Sequence, residues 1–81
     1  ALAKEVGPSG IRVNCVAPGV ILTEMNTRMF DAETLEALKE ETPLEKLGET
    51  EDIANMIYFL ARKEAEFITG QIIGVNGGMV I

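Results

Sequence analysis

The stretch "TGQIIGVNGG", residues 69–78, has three of its ten positions filled by Gly74, Gly77 and Gly78 in addition to Gly70, enough to suggest a phosphate-cradling loop. A dinucleotide loop, however, needs a strand before its glycines and a helix after them, so that backbone N–H groups and the helix dipole meet the pyrophosphate. The order here is reversed. A helical pattern and a turn precede Gly70, a β-branched run follows it, and three residues remain after Gly78. The stretch therefore reads as a turn at Gly70, a strand over 71–75 packed closely at Gly74, and a tight turn at Gly77-Gly78.

Working outward, residues 50–63 form the best helical pattern in the chain. Thr50 stands at the N-cap position, Glu51 and Asp52 meet the positive end of the dipole, and Ile53, Met56, Ile57 and Leu60 fall on one core-facing stripe. At the other end, residues 1–6 have helical composition, which Gly7-Pro8-Ser9-Gly10 terminates. Ile11 to Val16 then alternates β-branched residues and predicts a strand over 11–16, feeding the Ala17-Pro18-Gly19 loop and stopping at Pro18. Two strands with so long a helical connection should be parallel neighbours, so the fold class is α/β.

Residues 20–48, between the strands, read as a weakly held arm. No period is clear from Val20 to Arg28. Asp31 then caps a helix, with Phe30 stapled against Leu35, and Leu35 and Leu38 give that helix only a narrow apolar stripe before Pro43 ends it.

Composition bounds the function classes. The 81 residues are 47% apolar and 25% charged, with no apolar run approaching the roughly 20 residues of a membrane span. The net charge is −6, and nine acids lie within residues 31–52 against Lys39 and Lys46 alone, which disfavours nucleic-acid binding through a basic patch. One cysteine and no histidine leave no internal disulfide and no Cys/His nucleophile pair, and disfavour a zinc site. Cys15 between Asn14 and Val16 is expected to be a buried, reduced thiol, which fits a cytoplasmic protein. Tyr58 stands four residues before Arg62, the spacing of a Tyr-x-x-x-Lys reductase pair, but arginine is a poor substitute for lysine there, and Ser9 is the only serine. Tyr58 is expected to pack its ring partly and keep its hydroxyl wet.

A parallel sheet is covered on both faces, and a two-stranded sheet is marginal in water. The chain also opens on Ala1 inside a helical pattern, with no N-cap and no initiator methionine. It is expected to be a piece of a longer protein, completed by a missing N-terminal part or by another copy of itself.

Two segments in this order and spacing, "LAKEVGPSGIRVNCVAPGVILTEM" at 2–25 and "ETEDIANMIYFLARKEAEFITGQIIGVNGG" at 49–78, resemble the C-terminal third of the short-chain dehydrogenase/reductase family, nearest to its 3-oxoacyl-[acyl-carrier-protein] reductase type. Asn76 departs from the Asp more usual there. The resemblance implies the C-terminal portion of a Rossmann-like doubly wound parallel sheet, a cofactor that is NAD or NADP, and hydride transfer between nicotinamide and a carbonyl or alcohol substrate. Pro18, Gly19, Val20, Ile21 and Thr23 match the family's Pro-Gly cofactor loop. By that match, the main chain near Ile21 holds the nicotinamide carboxamide, Thr23 reaches the carboxamide or pyrophosphate, and Asn14 braces the loop. Pro18 fixes φ, and Gly19 leaves room for the ring. The family's substrate-binding arm falls on 24–46, where Met25, Met29 and Phe30 are candidates for an apolar wall over the substrate.

The glycine-rich dinucleotide loop and the catalytic Ser, Tyr and Lys have no counterpart here, so the chain alone is expected to be inactive. The alternative is a non-catalytic self-association module. In the resembled family the last helix and strand pair across a two-fold axis, and here Ile53 to Ile81 ends in the apolar Met79-Val80-Ile81.

Overall fold

The fold is known from a computed structural model, which describes residues 1–79. Helix α1 (Leu2–Val6) runs into a 3-10 turn at Gly7–Ser9, and strand β1 (Cys15–Pro18) follows. The arm contains β2 (Ile21–Leu22), α2 (Glu24–Met29) and α3 (Ala32–Glu41). After it come β3 (Gly48–Glu49), α4 (Thr50–Ala61), a 3-10 turn at Lys63–Ala65 and β4 (Ile72–Val75). As expected, β1 and β4 pair in parallel, with Cys15 opposite Ile72 and Pro18 opposite Val75. A second parallel pair, β2 with β3, sets Ile21 opposite Gly48 and ties the two ends of the arm together. The turn residues of the opening stretch behave as read: Gly70, Gly77 and Gly78 all hold positive φ.

Several boundaries differ from the sequence expectation. β1 starts at Cys15 rather than Ile11, because the residues before it are occupied by the turn leading into β4. The Val13 N–H donates to Thr69 Oγ1 (3.0 Å), and the Gly70 N–H donates to the Val13 carbonyl (2.8 Å). Asn14 joins the same junction. Its Nδ2 donates to the Ile68 carbonyl (3.0 Å) and its Oδ1 accepts from the Gln71 N–H (3.1 Å), so it braces the 68–71 turn and not the Pro-Gly loop. α4 is capped one residue early. The Asp52 carboxylate accepts the Glu49 N–H (2.7 Å), which makes Glu49 the cap residue in place of Thr50. The helix ends at Ala61, not at 63.

Helix α4 packs on one face of the β1–β4 pair. Of its apolar stripe Leu60 is buried, Ile53 and Met56 are half-buried, and Ile57 is 54% exposed, contrary to the expectation for a core position. The opposite sheet face carries Cys15 and its partner Ile72. Cys15 is exposed rather than buried, and Ile72 is 78% exposed. Alternation along a strand puts every second side chain on this face, and Cys15 and Ile72 there are left open to solvent. Tyr58 is 65% exposed, so its ring is less packed than expected, and the Arg62 guanidinium stands 5.5 Å from its ring centre.

Candidate functional site: the loop beyond the parallel strands

β1 and β4 are in register to their last residues, so both leave the sheet at the same carboxyl edge. Ala17-Pro18-Gly19 sits at that edge. The Gly19 N–H donates to the Val75 carbonyl (3.1 Å), continuing the ladder one residue past Pro18. A Cβ on Gly19 would stand 2.8 Å from Asn76 Cβ and 2.9 Å from Asn76 Cα, closer than carbon atoms pack. The side-chain-free face of Gly19 is thus filled by this chain's own Asn76. Farther along, the Val20 carbonyl accepts the Gly48 N–H (2.9 Å).

Asn26 clamps the remainder of the loop. Its Nδ2 donates to the Ile21 carbonyl, and its backbone N–H donates to Thr23 Oγ1 (3.1 Å), making Thr23 the N-cap of α2. The Thr23 oxygen is therefore engaged as an acceptor, while its O–H can still donate, since a hydroxyl serves both roles.

Beyond the strand ends lies a cavity of about 230 Å³. Val20, Ile21, Leu44 and Val75 supply apolar wall, and Lys46 and Asn76 are among its polar groups. Of the residues expected at a cofactor site, Val20 and Ile21 line this cavity, whereas Pro18, Gly19 and Thr23 shape the loop without lining it. The substrate-wall residues do not join them. Met25 and Met29 are 67% and 68% exposed on α2, and Phe30 is half-buried just after it.

The family profile described as "Enoyl-(Acyl carrier protein) reductase" matches residues 1–80, nearly the whole chain. Relatives include an uncharacterized short-chain type dehydrogenase/reductase from Sinorhizobium fredii, 44% identical over 81 residues. The chain belongs to the short-chain dehydrogenase/reductase family. The Sinorhizobium alignment covers 100% of this chain and 32% of the relative. The 3-oxoacyl-[acyl-carrier-protein] reductase FabG of Aquifex aeolicus is 46% identical over 79 residues, covering 98% of the chain and 32% of that protein. A crystal structure of the 3-oxoacyl-[acyl-carrier protein] reductase from Brucella melitensis superposes with a TM-score of 0.92 at 38% identity, over 99% of this chain and 30% of that one. The short-chain dehydrogenase/reductase chain thus spans about a third of the length of the relatives it matches, and its α/β fold is the corresponding part of a Rossmann-like sheet.

Several residues of the site were not singled out from sequence: Asn26 and Thr42, Asn76 as the packing partner of Gly19, and the cavity-lining Leu44 and Lys46 among them. The Thr23 hydroxyl signals a helix cap, but the bond from the Asn26 side chain to the Ile21 carbonyl has no signal in the local sequence. Thr42 is buried at 4% exposure, and its Oγ1 donates to the Leu38 carbonyl (2.9 Å) at the end of α3. Nothing in local sequence marks that burial, which comes from the turn after β4.

Proposed function

We propose that this chain is the C-terminal portion of an NAD- or NADP-dependent oxidoreductase that moves a hydride between nicotinamide and a carbonyl or alcohol substrate, with 3-oxoacyl thioesters the favoured class. One observation carries the reading: Val20 and Ile21, in the loop matching the family's cofactor motif, line a cavity at the carboxyl edge of a parallel strand pair. Ligands of open α/β sheets bind at that edge. The residues present suit the nicotinamide end of a dinucleotide. Val20, Ile21 and Leu44 offer apolar surface to a ring, and the Lys46 and Asn76 side chains in the cavity wall offer polar partners to a carboxamide or phosphate. When bound, the nicotinamide supplies hydride chemistry. This chain's part is to hold the ring against the wall that Val20, Ile21 and Leu44 form.

Placement in the cytoplasm belongs to the same reading, supported by the unpaired Cys15 thiol; no described helix is long and apolar enough to cross a membrane. The full-length gene product should bind NADH or NADPH and reduce a 3-oxoacyl thioester or simple ketone, whereas the purified 81-residue chain should show no turnover with either dinucleotide. Robust turnover by the short chain, or no dinucleotide binding by the long one, refutes the reading.

Self-association through α4 and β4 is a second reading, favoured by the exposure of Ile57 and Ile72. The expected apolar tail Met79-Val80-Ile81 falls largely outside the described residues, which end at Met79. Deleting residues 79–81 and measuring mass by light scattering tests it; an unchanged oligomer rules out a role for the tail.

A further inference from the structure

The arm has two roots, and both rest on the turn that follows β4. At the N-terminal root, Gly19 packs against the Asn76 backbone and Cβ and donates its N–H to Val75. At the C-terminal root, the Leu44 N–H donates to the Gly77 carbonyl (3.0 Å). A Cβ on Gly77 would stand 2.8 Å from Thr42 Cγ2, and one on Gly78 would stand 3.0 Å from Pro43 Cβ and Cγ. The turn itself is held by the Asn76 side chain, whose Oδ1 accepts the Gly78 N–H (2.9 Å).

We infer that Asn76 is a positioning residue: it locks the 76–78 turn as a common anchor, so that the nicotinamide-facing loop and the far root of the arm are displaced together. The inference rests on the functional reading above only for its effect on the cofactor. Its physical basis is the absence of slack. The gaps opposite Gly19, Gly77 and Gly78 are each too small to take a methyl group, and packing that close transmits a displacement rather than absorbing it, because close-packed interiors have low compressibility. A group pressed against Asn76 from the Gly19 side must shift the turn or distort the loop, and a shifted turn carries Thr42 and Leu44 with it.

The test uses the full-length gene product, with NADH and NADPH as ligands and methyl-labelled Thr42 and Leu44 as reporters. Gly19→Ala should weaken dinucleotide binding by roughly tenfold, the size of effect expected when one contact network is broken. It should also shift the Thr42 and Leu44 methyl resonances, more than 20 residues away in sequence. Adding Asn76→Ala, which removes the bond from the Gly78 N–H but keeps the Cβ opposite residue 19, should return the Thr42 and Leu44 resonances most of the way while dinucleotide binding stays weak. A purely structural role would lower the melting temperature of Gly19→Ala without this separation of the two readouts. Unmoved Thr42 and Leu44 signals in Gly19→Ala, or signals that stay shifted in the double variant, overturn the inference. If Gly19→Ala does not fold, Thr42→Ser serves instead. It keeps the bond to the Leu38 carbonyl, removes only the methyl on Gly77, and should shift the Gly19 amide resonance; a stationary signal overturns the inference equally. If the wild type binds neither dinucleotide, the nicotinamide reading fails while the resonance shifts still decide whether the anchor exists.

Discussion

Glu45 carries a φ of 56°, the left-handed region where a side chain meets its own backbone. Its N–H donates to the Thr42 carbonyl (2.7 Å), closing the turn that swings the chain from α3 to β3. The side chain is exposed and, among the described residues, takes part in no hydrogen bond or ion pair, so nothing local offsets the strain. Holding a non-glycine residue there costs about 1–2 kcal/mol. Glycine removes that cost but gains freedom in the unfolded chain, an opposing effect of about 0.4–1 kcal/mol. Glu45→Gly should therefore raise stability by roughly 0.5–1 kcal/mol. Glu45→Val should lower it, because a β-branched side chain suits positive φ least. Urea-unfolding midpoints of the two variants in the full-length protein check both signs, and a lower midpoint for Glu45→Gly contradicts the strain assignment.

Among the elements, α3 shows most clearly what local sequence can specify. Asp31 was read as its cap, and Asp31 Oδ1 accepts the Thr34 N–H (2.7 Å). That bond, and secondarily one from the Thr34 hydroxyl, holds the Asp31 carboxyl below its ordinary value. A lowered folded-state pKa means that the ionised form is the one favoured by folding. The cap's contribution is complete above the usual aspartate range and is lost as pH falls through the lowered value. The Thr34 amide resonance should accordingly titrate with a midpoint below that of an unstructured aspartate, with α3 fraying first on acidification. An ordinary midpoint would mean the cap is not formed. Where elements were misread, nonlocal partners decided the outcome. β1 begins late because Val13 and Asn14 are bonded to residues 68–71, more than 50 positions away. Glu49 replaces Thr50 as the α4 cap because β3 pairing with β2 holds Glu49 extended, with the Asp52 carboxylate within reach of its N–H. α2 escaped notice because six residues offer too little periodicity, and its one signal is the Thr23 hydroxyl.

At the scale of the whole molecule, the parallel pair and its loop were legible because they depend on strand pattern and connection length, whereas burial was not. Periodicity shows which face of α4 or β4 is apolar; it does not show whether anything covers that face. The accessible surface is 6200 Å², against about 4800 Å² for a compact monomer of this mass. The radius of gyration is 15.5 Å, against about 12 Å for a compact domain of this length. Ile57, Ile72 and Phe67, the last fully exposed, carry part of the excess. With Leu60 and Ala65 the only buried apolar residues among those described, there is too little core to offset the chain entropy of folding. The isolated 81-residue chain should therefore melt without a sharp cooperative transition and bind the dye ANS strongly. Its amide protons should be protected weakly, most of all along β1–β4 and α4, where packing is densest. Two outcomes separate the ways its bare face could be covered. If covalent continuity with further chain is required, dilution changes nothing and only the full-length protein is protected at Cys15 and Ile72. If a second copy suffices, protection of those two residues rises with concentration of the short chain alone. A sharp, concentration-independent transition of the isolated chain would contradict both, and with them the claim that its apolar faces are unfilled.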